Sequence, residues 1–229
     1  VLKEKNEKAF ITYITAGLPN YDKTKEIIKA QEKAGTDIIE LGIPFSDPVA
    51  DGPVIQAASY DAILGRANLA KTFTCMQELR AEDVQTPIGF VLYYTTVLRY
   101  WGETIAKKCM ECGVDGLIIP DLPFEEQEEL QKALNGSDET ILIQLVSPVS
   151  GERVKKILEN ARGFVYCVSS MGVTGQEATF HKKVIEYLSE VKKVSKIPVM
   201  MGFGIRTAED VRPMKDIIDG AIVGSHFIN

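Results

Sequence analysis

A closed, parallel α/β barrel is predicted by three features of the 229-residue sequence. Short runs of β-forming residues alternate with amphipathic stretches, which is typical of parallel strands joined by crossover helices. Eight such runs occur, from Phe10 to Gly220, at intervals of about 30 residues, the size of one βα unit. No glycine-rich nucleotide loop follows the first run, where Ala16-Gly17-Leu18-Pro19 stands instead. These features favour an eight-stranded (β/α)8 barrel, a TIM barrel, over an open doubly wound sheet.

The predicted strands are apolar runs of four to six residues, which suits strands buried on both faces. In chain order they are Phe10–Thr15, Asp37–Leu41, Ile88–Leu92, Gly116–Ile119, Ile141–Leu145, Phe164–Val168, Pro198–Met201 and Gly220–Val223. Stretches with apolar residues at helical spacing lie between them, such as Lys23–Ala34, Thr104–Cys112, Glu125–Leu134, Arg153–Glu159, Lys182–Val194 and Ala208–Lys215.

The length fits one barrel, because such barrels take about 250 residues. No break in composition divides the chain, so we expect residues 1–229 to form a single domain. The chain lacks an initiator Met and ends abruptly at Asn229, and we expect both termini to be trimmed.

Composition limits the possible partners and location. The chain carries 26 Lys and Arg against 32 Asp and Glu, a net charge of −6, which argues against binding nucleic acid or an anionic membrane. No apolar run approaches the roughly 18 residues of a membrane helix. Four unevenly spaced cysteines fit a reducing cytoplasm. Cys109 and Cys112 lack a second Cys or His pair at zinc spacing, so we expect no metal site.

Glu40 is the most informative residue of the second predicted strand. It interrupts an apolar run that should be buried on both faces, and a buried carboxylate must pair, bind a ligand or stay protonated. An internal Lys or Arg partner is the structural alternative. The other strand cores contain neither residue, so we favour a functional role.

Two aspartates follow on the Pro- and Gly-rich loop that leaves this strand. Asp47 and Asp51 are residues of a kind that caps turns, and Asp51 would suit the N-cap of the predicted helix Val54–Leu64. Together with Glu40, however, Asp51 offers two carboxylates near one strand end. Such a pair allows the environment to separate an acid from an ionised base.

Glycine-containing loops follow the last three strands. They are Gly172-Val-Thr174-Gly175, Gly202-Phe203-Gly204-Ile-Arg206 and Val223-Gly224-Ser225. Backbone amides beside glycine can approach a phosphate closely, and the loops after strands seven and eight of barrels often bind one. Ordinary turn chemistry is the alternative. We predict a phosphate site built locally in this acidic chain.

These segments together resemble the family of tryptophan synthase α subunits over nearly the whole chain. The longest matching run is Glu40-Leu-Gly-Ile-Pro-Phe-Ser-Asp-Pro-Val-Ala-Asp51-Gly-Pro-Val-Ile-Gln56. Further matches follow in the family's order, at Pro120-Asp-Leu-Pro123, Gly172-Val-Thr-Gly175, Gly202-Phe-Gly-Ile205 and Gly224-Ser225. Barrel patterning alone does not produce so long a run.

The resemblance implies a lyase that cleaves indole-3-glycerol phosphate to indole and glyceraldehyde 3-phosphate by a retro-aldol step. Glu40 matches the family's acid–base residue. Asp51 matches the carboxylate that binds the indole N–H and stabilises positive charge developing on the ring.

The same resemblance assigns the remaining site residues. It implies an apolar slot for indole at Tyr13, Val91, Tyr93, Ile118, Tyr166 and Phe203. Thr174 would close over Asp51, and the phosphate would be held by Gly175, Gly204, Gly224 and Ser225. The sixth loop is expected to act as a lid, mobile around residues 176–179.

A partner is also implied. The family's β subunit, which carries pyridoxal phosphate, joins it in an α2β2 heterotetramer that channels indole, and no cofactor is expected in this chain. We expect Asp47 and Pro48 to contact that partner. The chain departs from the family at Thr95, where Asn is usual, at Pro120, where small residues are usual, and after Ser225, where the family's final helix is expected to be missing.

Two alternative functions remain. Indole-glycerol-phosphate synthase, another phosphate-binding barrel, would need a catalytic Lys that the second strand lacks. A subunit that only activates its partner would not need both Glu40 and Asp51.

Overall fold

Parallel strands form a nearly closed barrel in the computed structural model, which describes residues 7–100, 102–134, 139–168, 177–202, 204–205 and 207–228. The described strands are Ala9–Thr15 (β1), Ile38–Gly42 (β2), Ile88–Val91 (β3), Gly116–Ile118 (β4), Ile141–Leu142 (β5), Gln144–Val146 (β6), Val165–Val168 (β7), Val199–Gly202 (β8) and Gly220–Val223 (β9). Their order in the sheet is β5-β4-β3-β2-β1-β9-β8-β7-β6, and every pairing is parallel. The barrel predicted from the sequence is therefore confirmed.

The fifth predicted strand is observed as two pieces. It breaks at Ile143, because β5 pairs with β4 whereas β6 pairs with β7. The Ile143 amide still donates to the Leu117 carbonyl oxygen at 2.9 Å, so the chain changes neighbours without leaving the sheet. The seam of the barrel thus lies within one predicted strand.

Helices in the described part connect the strands on the outside of the barrel. They are Tyr21–Ala34 (α1), Pro53–Leu64 (α2), Leu69–Ala81 (α3), Tyr94–Arg99 (α4), Gly102–Glu111 (α5), Glu128–Leu134 (α6), Arg153–Leu158 (α7), Glu177–Val194 (α8), Ala208–Val211 (α9) and Ser225–Ile228 (α10). Short 3-10 turns lie at Phe124–Glu126, Pro148–Ser150 and Arg212–Met214.

Local capping explains where the first helices begin. The Asn20 side chain accepts a hydrogen bond from the Lys23 amide at 2.9 Å and starts α1, which ends at Gly35 with φ of 91°. Pro53 begins α2 with Gly52 as the N-cap. Asp51 makes no capping bond to this helix, so the capping interpretation of Asp51 is wrong.

The core lies in three apolar clusters on the two faces of the sheet. Side chains alternate in direction along each strand, which sends one set inward and the next outward. The inner cluster contains Ile11, Ile118, Ile143, Phe164, Tyr166, Met200 and Ile222. Two outer clusters bury the strands against the helices. This alternation places Tyr13 beside Glu40 in register, on the inner face.

Candidate active site

A cavity of about 570 Å³ opens at the carboxyl ends of the strands, where active sites of such barrels lie. Nine residues predicted from the sequence to form the site line it. They are Tyr13, Glu40, Asp51, Val91, Ile118, Tyr166, Gly204, Gly224 and Ser225. Residues from seven described strands or the loops that follow them therefore meet in one space.

Glu40 is the carboxylate at the bottom of this cavity. It lies on β2 between Tyr13 of β1 and Gly89 of β3, and its side chain is only 1% exposed. Its Oε1 atom has no hydrogen-bond partner, and no Lys or Arg of the described residues pairs with it. Burial raises the pKa of Glu40 to about 8. The side chain is thus protonated at neutral pH and faces a space that a ligand can occupy.

Asp51 sits nearer the mouth, on the loop between β2 and α2. Tyr93 donates its hydroxyl proton to Asp51 Oδ2 at 2.9 Å. The Asp51 amide and carbonyl groups are also held, by the Pro48 carbonyl oxygen and the Gln56 side chain. Burial raises the pKa of Asp51, and the Tyr93 hydrogen bond opposes that shift. The two carboxylates therefore differ in solvation and in hydrogen bonding.

Two tyrosines that line the cavity, Tyr13 and Tyr166, pack closely against the glycines Gly42 and Gly202. A Cβ atom at Gly42 would lie 2.0 Å from Tyr13 Oη, and one at Gly202 would lie 2.5 Å from Tyr166 Cε1. Real Cβ atoms do not approach so closely, so glycine at both positions makes room for a tyrosine. Burial raises the pKa of both phenols, which stay protonated.

Val91 and Ile118, on neighbouring strands, add apolar side chains to the cavity wall. Sequence reasoning did not assign several further lining residues. These are Gly52, Pro53, Val54, Ile55, Leu145, Ile205, Ile222 and His226. Pro120, which the family resemblance sets at the indole slot, also lines the cavity. Leu145 and Ile222 follow the period-two alternation of their strands, and that signal could have identified them.

Gly204, Gly224 and Ser225 lie together on the loop side of the cavity. Gly204 has φ of 73°, a left-handed backbone conformation that favours glycine. A Cβ at Gly224 would meet only ordinary contacts, 3.5 Å from Tyr13 Cβ and 3.6 Å from Ile55 Cδ1. Neither close packing nor an unusual φ requires glycine at 224.

The remaining predicted site residues lie elsewhere. Tyr93 is not among the lining residues and is hydrogen-bonded to Asp51. Asp47 and Pro48 lie outside the cavity on the loop after β2, where Asp47 Oδ2 accepts a hydrogen bond from Ser46. Thr174, Gly175 and Phe203 lie outside the described residues, as does residue 176 of the segment 176–179 predicted to be mobile; α8 begins at Glu177.

The described lining contains no Lys or Arg, and His226 is its one basic side chain. Within the part of the chain that the structure covers, no cluster of His, Cys, Asp and Glu could hold a metal ion. In the same part, every helix is too short or too polar to cross a membrane.

A family model described as tryptophan synthase alpha chain matches residues 1–229. The chain belongs to the tryptophan synthase alpha chain family. The family protein of Lachnospira eligens is 65% identical over 228 residues, which are 99% of this chain and 86% of that protein. The one from Alkaliphilus metalliredigens is 48% identical over 227 residues, 99% of this chain and 85% of the other.

Solved structures of the tryptophan synthase alpha family have the same fold. The alpha subunit from Legionella pneumophila superposes with a TM-score of 0.89 at 34% identity, covering 100% of this chain and 84% of the other. A chain of the tryptophan synthase complex from Pyrococcus furiosus gives 0.85 at 30% identity, covering 97% and 89%.

Proposed function

We propose that this chain catalyses the α reaction of L-tryptophan biosynthesis, the cleavage of indole-3-glycerol phosphate to indole and glyceraldehyde 3-phosphate. The observation that carries the proposal is a protonated, buried Glu40 and a hydrogen-bonded Asp51 facing one apolar cavity at the strand ends. Membership of the family supports the same reaction.

Glu40 is proposed as the acid and base. Breaking the carbon–carbon bond requires a proton on indole C3 and removal of the proton from the adjacent side-chain hydroxyl. A carboxyl group with a pKa near 8 holds the first proton at neutral pH. Once it has delivered that proton, it becomes a base in a site that favours its protonated form, so it can accept the hydroxyl proton.

Asp51 is proposed as the group that stabilises the charged ring. Protonation at C3 leaves positive charge on the indole, mostly at nitrogen, and an ionised carboxylate bonded to the N–H lowers the energy of that state. Asp51 lies at the cavity mouth and accepts a bond from Tyr93, which favours its ionised form.

Binding is proposed to divide between an apolar slot and a backbone phosphate site. Val91, Ile118 and the Tyr13 and Tyr166 rings would enclose the indole. The amides around Gly204, Gly224 and Ser225, with Gly175, would hold the phosphate. Thr174 and Phe203 complete the proposed closed site.

Gly224→Ala tests the phosphate site directly. The substitution adds only ordinary contacts and so leaves the fold intact, whereas the Gly204 backbone conformation would strain any larger residue. We expect Gly224→Ala to raise KM several-fold and to leave binding of indole alone unchanged, as measured by calorimetry. Unaltered binding of glyceraldehyde 3-phosphate would place the phosphate elsewhere.

The assembly is proposed to be an α2β2 heterotetramer with the tryptophan synthase β subunit, in the cytoplasm. Exposed apolar side chains on three loops or helices after strands support a contact at this end of the barrel. They are Val49, Leu98 and Val149. Asp47 and Pro48 lie beside Val49. The pyridoxal phosphate of the assembly would belong to the β subunit.

The deciding experiment is cleavage of indole-3-glycerol phosphate by the purified chain, with and without β subunit. We expect equal amounts of indole and glyceraldehyde 3-phosphate from the chain alone and faster release with the partner. No cleavage in either case would refute an active lyase.

A further inference from the structure

Tyr93, just after the third barrel strand, lies beside the Asp51 carboxylate and is hydrogen-bonded to it. Its side chain is 4% exposed, and its ring stacks on Phe45 with centroids 5.0 Å apart and planes at 20°. Packing therefore sets the ring orientation. The hydroxyl lies within hydrogen-bond distance of Asp51 Oδ2, at 2.9 Å.

The direction of the hydrogen bonds follows from counting protons. The Ala50 amide can only donate, and it donates to Tyr93 Oη at 2.9 Å. The phenol has one proton, which it donates to Asp51 Oδ2 at 2.9 Å. Two successive residues of the loop, Ala50 and Asp51, are thus both held by one hydroxyl group.

We infer that Tyr93 is a positioning residue, whose hydroxyl keeps Asp51 ionised and aimed into the cavity. A hydrogen bond to a charged acceptor is stronger than one to a neutral acceptor, so it favours the carboxylate over the carboxylic acid. This role opposes burial, which disfavours the charge. The inference relies on the proposed function only for what Asp51 does to the substrate.

Other titratable groups near Asp51 do not provide this bond. Glu40, Tyr13, Tyr166 and His226 face the same cavity. Burial raises the pKa of Glu40 and of both tyrosines, which are neutral at pH 7. Asp121, on the far side of Tyr93, accepts a hydrogen bond from the Tyr94 amide at 2.8 Å. Within the described residues, Tyr93 is the side chain seen to donate to the Asp51 carboxylate.

Tyr93→Phe is the main test, because it removes the hydroxyl and keeps the ring. We expect kcat/KM for indole-3-glycerol phosphate to fall about 10- to 100-fold at pH 7, the usual effect of losing a bond to a charged group. The acid limb of the pH profile should move to higher pH, since Asp51 then ionises less readily. Tyr60→Phe, on the exposed side of α2, is the matched control and should keep the parent profile.

A second readout does not depend on turnover. Carboxyl ¹³C NMR should show a higher pKa for Asp51 in Tyr93→Phe than in the parent. In an Asp51→Asn background, Tyr93→Phe should have little further effect on cleavage. An unchanged Asp51 titration, or the same loss at every pH, overturns the positioning role. If Tyr93→Phe shifts the Asp51 titration but the parent chain cleaves no substrate, the proposed function is refuted and this inference stands.

Discussion

The two carboxyl groups of the cavity, Glu40 and Asp51, differ in how strongly their surroundings stabilise the charged form. Glu40 is fully enclosed and lacks a partner for Oε1, so the acid form is favoured. Asp51 lies at the mouth and accepts a hydrogen bond from the Tyr93 hydroxyl. One cavity therefore holds a carboxyl group whose acid form is favoured and a second whose charged form is stabilised by a hydrogen bond, which is the division of roles that general acid catalysis next to a developing cation requires.

Removing either carboxylate tests this division. We expect Glu40→Gln and Asp51→Asn each to lower turnover of indole-3-glycerol phosphate by at least about 100-fold, since losing an acid–base group typically costs 10²–10⁴. Both variants keep the size of the side chain, so their circular dichroism spectra should match the parent. Near-normal cleavage by either variant would remove that residue from the mechanism.

The raised pKa of Glu40 also predicts how the stability of the fold depends on pH. Its pKa is about 8 in the folded chain and 4.5 in a model peptide, so the unfolded state loses this proton first as pH rises. Burial of Glu40 therefore destabilises the fold increasingly between pH 4.5 and 8 and by a constant amount above that. One pKa unit corresponds to about 1.4 kcal/mol, so the full effect is on the order of 5 kcal/mol.

Glu40→Gln should remove this dependence. We expect the variant to be more stable than the parent in urea at pH 9 and to differ little at pH 4. Glu186→Gln, at an exposed position of α8, serves as the control. A variant with the same stability difference from the parent at both pH values would show that Glu40 ionises normally.

At the level of strands, small residues make room for large ones on the neighbouring strand. Tyr13 of β1 lies over Gly42 of β2, and Tyr166 of β7 lies over Gly202 of β8. Two of the aromatic walls of the cavity thus depend on glycines that carry no chemistry. In the sequence these glycines look like ordinary strand-end residues.

We expect Gly42→Ala to disturb the cavity more than the same substitution at an ordinary strand glycine. The new Cβ would fall 2.0 Å from Tyr13 Oη, so the buried ring must shift. We expect a loss of about 1–3 kcal/mol in the free energy of unfolding, the usual range for overpacking, together with a raised KM. Denaturation in urea and steady-state kinetics measure both.

Gly116→Ala in β4 is the comparison, because its Cβ would meet the nearest atom at 3.5 Å. That variant should be nearly as stable as the parent. Equal stability losses for the two variants would mean that the Tyr13 contact is not what makes glycine necessary at position 42.

For the whole molecule, the loop after β2 links the cavity with the protein surface. Asp51 faces the cavity, while Asp47 and the exposed Val49 lie a few residues earlier on the same loop. A partner that contacts this loop could change the geometry of Asp51 through the backbone. Communication and chemistry would then use different residues of one segment.

Asp47→Ala tests that separation. We expect it to weaken activation by the β subunit several-fold and to change intrinsic cleavage much less, because Asp47 lies outside the cavity. Cleavage rates with and without saturating β subunit provide the measurement. Activation as strong as that of the parent would show that this loop does not carry the signal.

The sequence by itself determined the barrel, because strands and helices are marked by local patterns of apolar residues. It also identified Glu40, since a carboxylate in a doubly buried strand is visible without coordinates. The eight predicted strands fall close to the observed ones, apart from the break at Ile143. The run from Glu40 to Gln56 was enough to suggest the family to which the chain belongs.

Tertiary structure decided what depends on neighbours that are distant along the chain. The hydrogen bond between the Tyr93 hydroxyl and Asp51, 42 residues earlier in the chain, was not predicted from the sequence. The space that Gly42 leaves for Tyr13, and the pKa of Glu40, likewise depend on other strands. Side-chain direction at a strand end and the degree of desolvation arise only when the barrel closes, so no local pattern contains them.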